Sequence, residues 1–135
     1  MGGRSNVASK RPIRQKGQSL VEFALLLPVL LLVIFGLLDM GRAVYTYTVL
    51  AHAAHEGARQ AVIVDNTNQA VVDAALQTAV AVNLLASEVQ ILGTRQPGTQ
   101  VTVTVSHPFA PVTPLIAQVV GNSLALSASA TMIVD

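Results

Sequence analysis

The residue with the clearest chemical potential is Glu22, the one acid in a long apolar stretch near the start of the chain. After it, the sequence from Phe23 to Leu38 reads FALLLPVLLLVIFGLL and carries no charge. Together with residues 18–22, this stretch reaches the length of about 20 residues that a helix needs to cross a bilayer. A carboxylate in a membrane span is costly and normally has a partner. Glu22 is therefore a candidate functional residue.

Metal chemistry is the other possibility, because His52 and His55 are three residues apart and Glu56 follows them. In the H-E-x-x-H order of zinc proteases, the acid directly follows the first histidine and activates the metal-bound water. That order is absent here, the chain has no cysteine, and His107 is the one further histidine. We predict no metal, no cofactor and no catalytic residues, and interpret these histidines as a solvated or subunit-packing face.

Charge is divided unevenly along the chain. Residues 1–17 hold five of the eight Lys and Arg residues and no acid, whereas the remainder holds three basic and seven acidic residues. The positive-inside rule therefore places residues 1–17 in the cytoplasm and everything after the span outside. The remainder has no basic stripe with interleaved aromatics, so we predict no nucleic-acid partner. The basic segment fits an anionic lipid surface better.

A cleavable secretory signal and a buried core helix are the alternatives to a membrane span. A secretory signal has an apolar core of about 7–15 residues followed by a small-residue cleavage site. Here Asp39-Met40-Gly41-Arg42 follows the apolar stretch, and the pattern then stays helical. This favours a span. Asp39 and Arg42 have helical spacing and are predicted to form a surface ion pair at the outer membrane interface.

The pattern predicts three regions: a basic leader over residues 1–17, a long helix over residues 18–64 with its span at about 18–38, and a head over residues 65–135. Residues 41–64 lack proline and are rich in alanine, so the helix is expected to continue beyond the membrane. Pro28 lies inside the span and predicts a kink there. Apolar or small residues are predicted to form one stripe on this helix: Val44, Tyr47, Ala51, Ala54, Ala58, Ala61 and Ile63.

The head is predicted to be a small α+β unit. Residues 65–67 can cap a second helix from Asn68 to Leu85, which we expect to pack on a sheet. The period then changes to two in three segments around residues 89–91, 101–105 and 124–134, which predicts a three-stranded antiparallel meander. Residues 107–120 contain three prolines and are not expected to form a regular strand, although residues 115–120 could form a short helix.

The segment from Gly17 to Phe23, GQSLVEF, resembles the processing site of type IV prepilins. The wider sequence resembles the TadE-like minor pilins of the tight-adherence pilus machinery. Further similar segments are AHEGAR, the VTVTV strand, the proline-rich turn and LSASATM. The N-terminal part is the most specific, because its glycine, its acid and Pro28 all have the family's spacing. The resemblance covers nearly the whole chain after residue 17.

The resemblance implies that a prepilin peptidase cuts between Gly17 and Gln18 on the cytoplasmic side, which makes Glu22 the fifth residue of the mature chain. It also implies other pilin subunits, an inner-membrane assembly platform and a cytoplasmic ATPase as partners. The family's major pilins are short chains dominated by their helix, so a head of this size favours a minor pilin. The expected location is the inner membrane, with the N-terminus inside and the C-terminus outside, and incorporation into an extracellular pilus could follow.

Cleavage would give Glu22 a partner, because the new α-amino group of Gln18 is one helical turn away. Pairing within the chain or with a neighbour would neutralise the acid and set the register between packed helices. The alternative is that Glu22 lies at the headgroup level and balances the dipole of the first helical turn. An alternative function is also open: an uncleaved single-span protein with an extracytoplasmic binding domain, which retention of the leader would favour.

Overall fold

The computed structural model describes residues 15–135, so most of the predicted leader, residues 1–14, lies outside the described residues. The described chain contains three α-helices, two 3₁₀ turns and three strands. The predicted α+β class is confirmed. The elements are α1 (Gln15–Ala61), α2 (Asn68–Thr78), the 3₁₀ turns Val80–Val82 and Ala86–Glu88, β1 (Val89–Gly93), β2 (Gln100–Phe109), α3 (Pro114–Val120) and β3 (Leu124–Ile133).

Helix α1 contributes to two compact units, one ending at Ile34 and the other comprising Phe35–Asp135. In the first unit, the side chains of residues 18–34 are all exposed. The second unit, which we call the head unit, contains the rest of α1 and all the other elements. The head unit therefore includes the C-terminal part of the long helix as well as the α+β region that follows it.

The three strands form an antiparallel meander in the order β1-β2-β3, as predicted. Val101, Val103 and Val105 of β2 are fully buried, because alternate side chains of a strand point to one face. The intervening positions face outward, and the Thr102 hydroxyl is 2.7 Å from that of Thr131 on β3. A side chain at Gly93 would collide with the carbonyl oxygen of Gln100, so the β1–β2 connection requires glycine there.

The prediction that residues 107–120 contain no regular strand was wrong for residues 107–109. Strand β2 continues to Phe109, and Pro108 pairs with Ala125 of β3. Proline is tolerated there because β1 pairs with β2 only up to Val105, so the other side of β2 is an open edge at Pro108. The short helix predicted over residues 115–120 is present as α3, which begins at Pro114.

The core of the head unit lies between α1, α2 and the sheet. Ala54, Ala58 and Ala61 of the predicted stripe are fully buried, but Val44 and Tyr47 are exposed. The buried face of α1 is rotated from the predicted one, because the sheet packs closely on its small residues. The fully buried residues of this face are Leu50, Ala53, Ala54, Ala58 and Ala61.

Helix α2 packs against this core through Val71 and Ala75, as expected. Its predicted cap is confirmed, since the Thr67 hydroxyl accepts the N–H of Ala70 at 3.2 Å. The helix ends at Thr78 rather than at residue 85. Beyond it the chain tightens into a 3₁₀ turn that ends at Asn83, a residue in the left-handed conformation with φ of 52°.

Candidate functional site

The segment from Gly17 to Glu22 occupies the first turns of α1. A Cβ atom added to Gly17 would have no neighbour within 4 Å, so nothing in the described fold requires glycine there. Gln18 and Glu22 lie on the same helix face, and the Gln18 amide donates to Glu22 Oε1 at 3.5 Å. The roles predicted for Gly17, Gln18 and Glu22 stay predictions, and the structure shows their spacing along one helix.

The apolar part of α1 is long and hydrophobic enough to cross a membrane, and none of its most apolar 18-residue stretch is buried within the chain. It is the one such helix among residues 15–135. Pro28 lies inside the continuous helix, and the kink predicted there stays a prediction. Proline has no N–H, so the helix lacks one backbone hydrogen bond at Pro28. The helix satisfies its other backbone groups internally, as a bilayer requires.

Asp39 occupies the first polar position after the apolar stretch, and its side chain is buried. Asp39 is only 4% exposed, because the loop before α3 covers it. The carboxylate accepts the N–H of Val112 at 3.0 Å and the N–H of Thr113 at 2.7 Å. Arg42 donates to Asp39 Oδ1 at 3.2 Å, and its guanidinium lies 5.4 Å from the centre of the Phe109 ring. Asp39 thereby attaches the α3 loop to α1.

The predicted ion pair between Asp39 and Arg42 is therefore present, but the prediction that it lies on the surface was wrong, because Asp39 is buried. The amide hydrogen bonds from Val112 and Thr113, together with Arg42, lower the pKa of Asp39 from 3.8 to about 2. The contacts to residues 112 and 113 join positions more than 70 residues apart in sequence. No local pattern indicated these contacts, apart from a Thr-Pro pair that suits a helix start.

The histidines singled out from the sequence are exposed. His52 and His55 lie on the outer face of α1, and Glu56 pairs with Arg59 at 2.7 Å. The hydrogen bond from Arg59 lowers the pKa of Glu56. Within the described part of the chain, no group of three or more His, Cys, Asp or Glu residues could hold a metal ion. The chemistry of this face is that of a solvated ion pair.

Sequence reasoning did not predict a contact between His107 and Glu88. His107 Nδ1 lies 3.1 Å from Glu88 Oε2, and both side chains are largely buried. Glu88 also accepts the N–H of Leu85 at 2.8 Å, which closes the 3₁₀ turn before β1. No serine or threonine hydroxyl in residues 15–135 forms a hydrogen bond with His107. This pair therefore joins β2 to the turn.

Together these features define a class: an α+β subunit built on a long N-terminal helix that is able to cross a membrane. Residues 17–59 match the family described as TadE-like protein. The match confirms, over those residues, the resemblance to TadE-like proteins found in the sequence. The matched segment makes up 43 of the 135 residues, and the sheet and helices α2 and α3 lie beyond it. Neither a curated protein nor a solved structure matches the chain.

Proposed function

We propose that this chain is a minor pilin of a tight-adherence pilus, processed between Gly17 and Gln18. The observation that carries the proposal is the family match, which begins at Gly17 and includes both Glu22 and Pro28. The predicted cleavage point and the start of the matched segment thus coincide.

Cleavage would change the charge on the helix end in two ways. It would remove five basic residues that hold the N-terminus in the cytoplasm, and it would create a positive α-amino group at Gln18. Glu22 is one helical turn further on and shares a face with Gln18. Because helical side chains lean towards the helix N-terminus, we expect an ammonium group at residue 18 to pair with the Glu22 carboxylate of its own chain or that of a packed neighbour.

Pairing would make the helix suitable for assembly. An unpaired acid costs about 2.5–3.5 kcal/mol at the middle of a membrane and less near its surface, so a partner lowers the cost of burying Glu22 between helices. The free helix end could then leave the bilayer for a helical bundle. Pro28 would let the helix bend during this step, and normal assembly of a Pro28→Leu variant would count against that role.

The proposed setting is the inner membrane, with the N-terminus inside and the C-terminus outside. The specific partners are a prepilin peptidase, other pilin subunits, the inner-membrane platform and the assembly ATPase. The family match supports partners of this kind in general, because it indicates pilus association. The apolar helix supports a bilayer as the first environment of the newly made chain.

The processing step is tested by expressing the full chain with an active or an inactivated prepilin peptidase and determining the N-terminus by mass spectrometry. We expect a new terminus at Gln18 only with the active enzyme. Gly17→Leu should block cleavage, whereas Gly41→Leu should not. Gly41 is a matched control, because it lies on the same helix and also has open space around it. An intact leader beside active peptidase would instead favour a permanent membrane anchor.

The assembly step is tested with Glu22→Gln. We expect normal cleavage but a loss of about tenfold or more from sheared pili, because one member of a buried charge pair would remain unpaired. Glu56→Gln is the control, since it removes an acid from the exposed face of the same helix. Equal incorporation of both variants would contradict a role for Glu22 in assembly.

A further inference from the structure

Helix α3 and the residues beside it carry an apolar surface. Val119 is 81% exposed, and Val112, Leu115 and Leu124 are also exposed. We call these four residues the α3 surface. Residues 108–134, which include all of it, contain no charged side chain. Such a surface is unfavourable in water and indicates contact with an apolar partner.

The position of α3 identifies that partner. Ile116 packs against α1 at Gly36, where a Cβ atom would lie 3.8 Å from Ile116 Cδ1. Gly36 belongs to the uncharged stretch of sequence that ends at Leu38. If this stretch crosses a bilayer, Ile116 must lie at the depth of residue 36, within the outer end of the span. Helix α3 therefore lies beside residues 35–38, the end of the uncharged stretch that belongs to the head unit.

An apolar cavity lies at the same contact. It has a volume of about 230 Å³ and is lined by residues of α1, α3 and β3, among them Gly36, Met40, Ile116 and Leu124. Its walls are hydrocarbon apart from Asp39, whose carboxylate is already engaged by the α3 loop. A cavity of this chemistry suits the end of an acyl chain better than water.

Part of the backbone of this region has its donors satisfied, which matters in an apolar environment, where unsatisfied N–H groups are expensive. Asp39 accepts the N–H groups of Val112 and Thr113, and Pro114 at the start of α3 has none. Within the helix, the N–H of Ala117 bonds to the carbonyl of Thr113. The buried acid thus removes two free donors from the segment that would meet lipid.

We propose that the α3 surface inserts into the outer leaflet of the bilayer beside the end of the span, with phospholipid acyl chains as its occupant. Arg42, whose side chain is half exposed next to Asp39, would then lie at the level of the lipid phosphates. The proposal rests on the membrane location in the proposed function. It is independent of cleavage and of incorporation into a pilus.

The absence of cysteine makes the test direct, because every introduced cysteine is the single labelling site. The full chain is reconstituted into phosphatidylcholine–phosphatidylglycerol vesicles with a nitroxide at Val119→Cys. Collision rates with oxygen, which concentrates in lipid, and with a water-soluble nickel chelate are then measured by electron paramagnetic resonance. Val80→Cys is the matched control, because Val80 is a similarly exposed valine of the head unit, and Leu30→Cys reports on the span.

We expect the label at 119 to collide more with oxygen than with nickel, as at 30, and the label at 80 to show the reverse. A label at 119 that behaves like that at 80, while 30 remains in lipid, would overturn the insertion of α3 and leave the span intact. Shielding of 119 from both reagents would show a protein occupant, such as a second copy, and would also overturn the proposal. A label at 30 in water would remove the membrane location itself.

Discussion

Two stretches of helix α1 have opposite relations to their surroundings. Residues 18–34 expose every side chain, and twelve of these seventeen residues are Leu, Val, Ile or Phe. Residues 46–61 bury one face, which is made mostly of alanine and glycine: Ala53, Ala54, Gly57, Ala58 and Ala61. The two stretches of the same helix therefore differ in what surrounds them. Residues 18–34 are uncovered by the described part of the chain, whereas the buried face of residues 46–61 is covered by the chain itself.

The contrast shows that residue size is selected by what covers the helix. A hydrocarbon solvent adapts to any apolar side chain, whereas a packed interior does not. At Gly57, an added Cβ atom would lie 3.1 Å from Val103 Cγ1 and 3.6 Å from the Ala75 Cβ. Strand β2 and helix α2 approach α1 closely at this point, so large residues are excluded from the buried face.

The largest expected effect comes from the same substitution made in both stretches. Ala58→Leu adds three carbons to a fully buried site and should lower the free energy of unfolding of the head unit by about 1–3 kcal/mol or more. Ala24→Leu, in the exposed stretch, should leave it unchanged. The stability of both variants is measured by thermal unfolding in detergent micelles, with limited proteolysis as the readout. Equal destabilisation would break the contrast between the two stretches.

A smaller effect is expected where the two environments meet, at Asp39. Its folded-state pKa of about 2 lies below the ordinary 3.8, so the ionised carboxylate stabilises the fold above pH 3.8 and protonation removes this contribution as the pH falls towards 2. Asp39→Asn should lower the Tm by several degrees at neutral pH, because an amide cannot accept both N–H groups as the carboxylate does.

The pH dependence distinguishes this role from simple packing. The Tm difference between the native chain and Asp39→Asn should shrink between pH 3.8 and 2. Asp73→Asn is the control, since Asp73 is an exposed acid on α2 that bonds only to the side chain of Gln69. A difference that stays constant as the pH falls would show that the Asp39 charge has no part in holding the α3 loop.

The smallest expected effect sharpens the contrast within the head unit, where helix ends meet water. Thr67→Ala removes the hydroxyl that caps α2 and should cost about 1 kcal/mol. Thr48→Ala removes a hydroxyl that bonds to the Val44 carbonyl inside α1, which needs no cap there, and should change stability by less than about 0.5 kcal/mol. Chemical denaturation in micelles compares the two, and a larger loss at Thr48 would contradict the capping role.

Local chemistry explains which features were predictable. The long apolar helix followed from sixteen uncharged residues, the α2 start from Thr67, and the meander from alternating valine and threonine in β2. Each is a property of neighbouring residues, so no distant contact was needed. The rotated buried face of α1 and the early end of α2 were missed, because both depend on how closely the sheet and helices approach one another.

The sequence by itself determined the long apolar helix with its lone acid and the α+β order of elements, since charge and periodicity are carried by the chain alone. The resemblance to TadE-like proteins also came from the sequence, through motifs such as GQSLVEF. Only the tertiary structure decided that Asp39 is a buried anchor and that α3 lies beside Gly36. These contacts join residues more than 70 positions apart, where local patterns carry no information and packing alone chooses the partner.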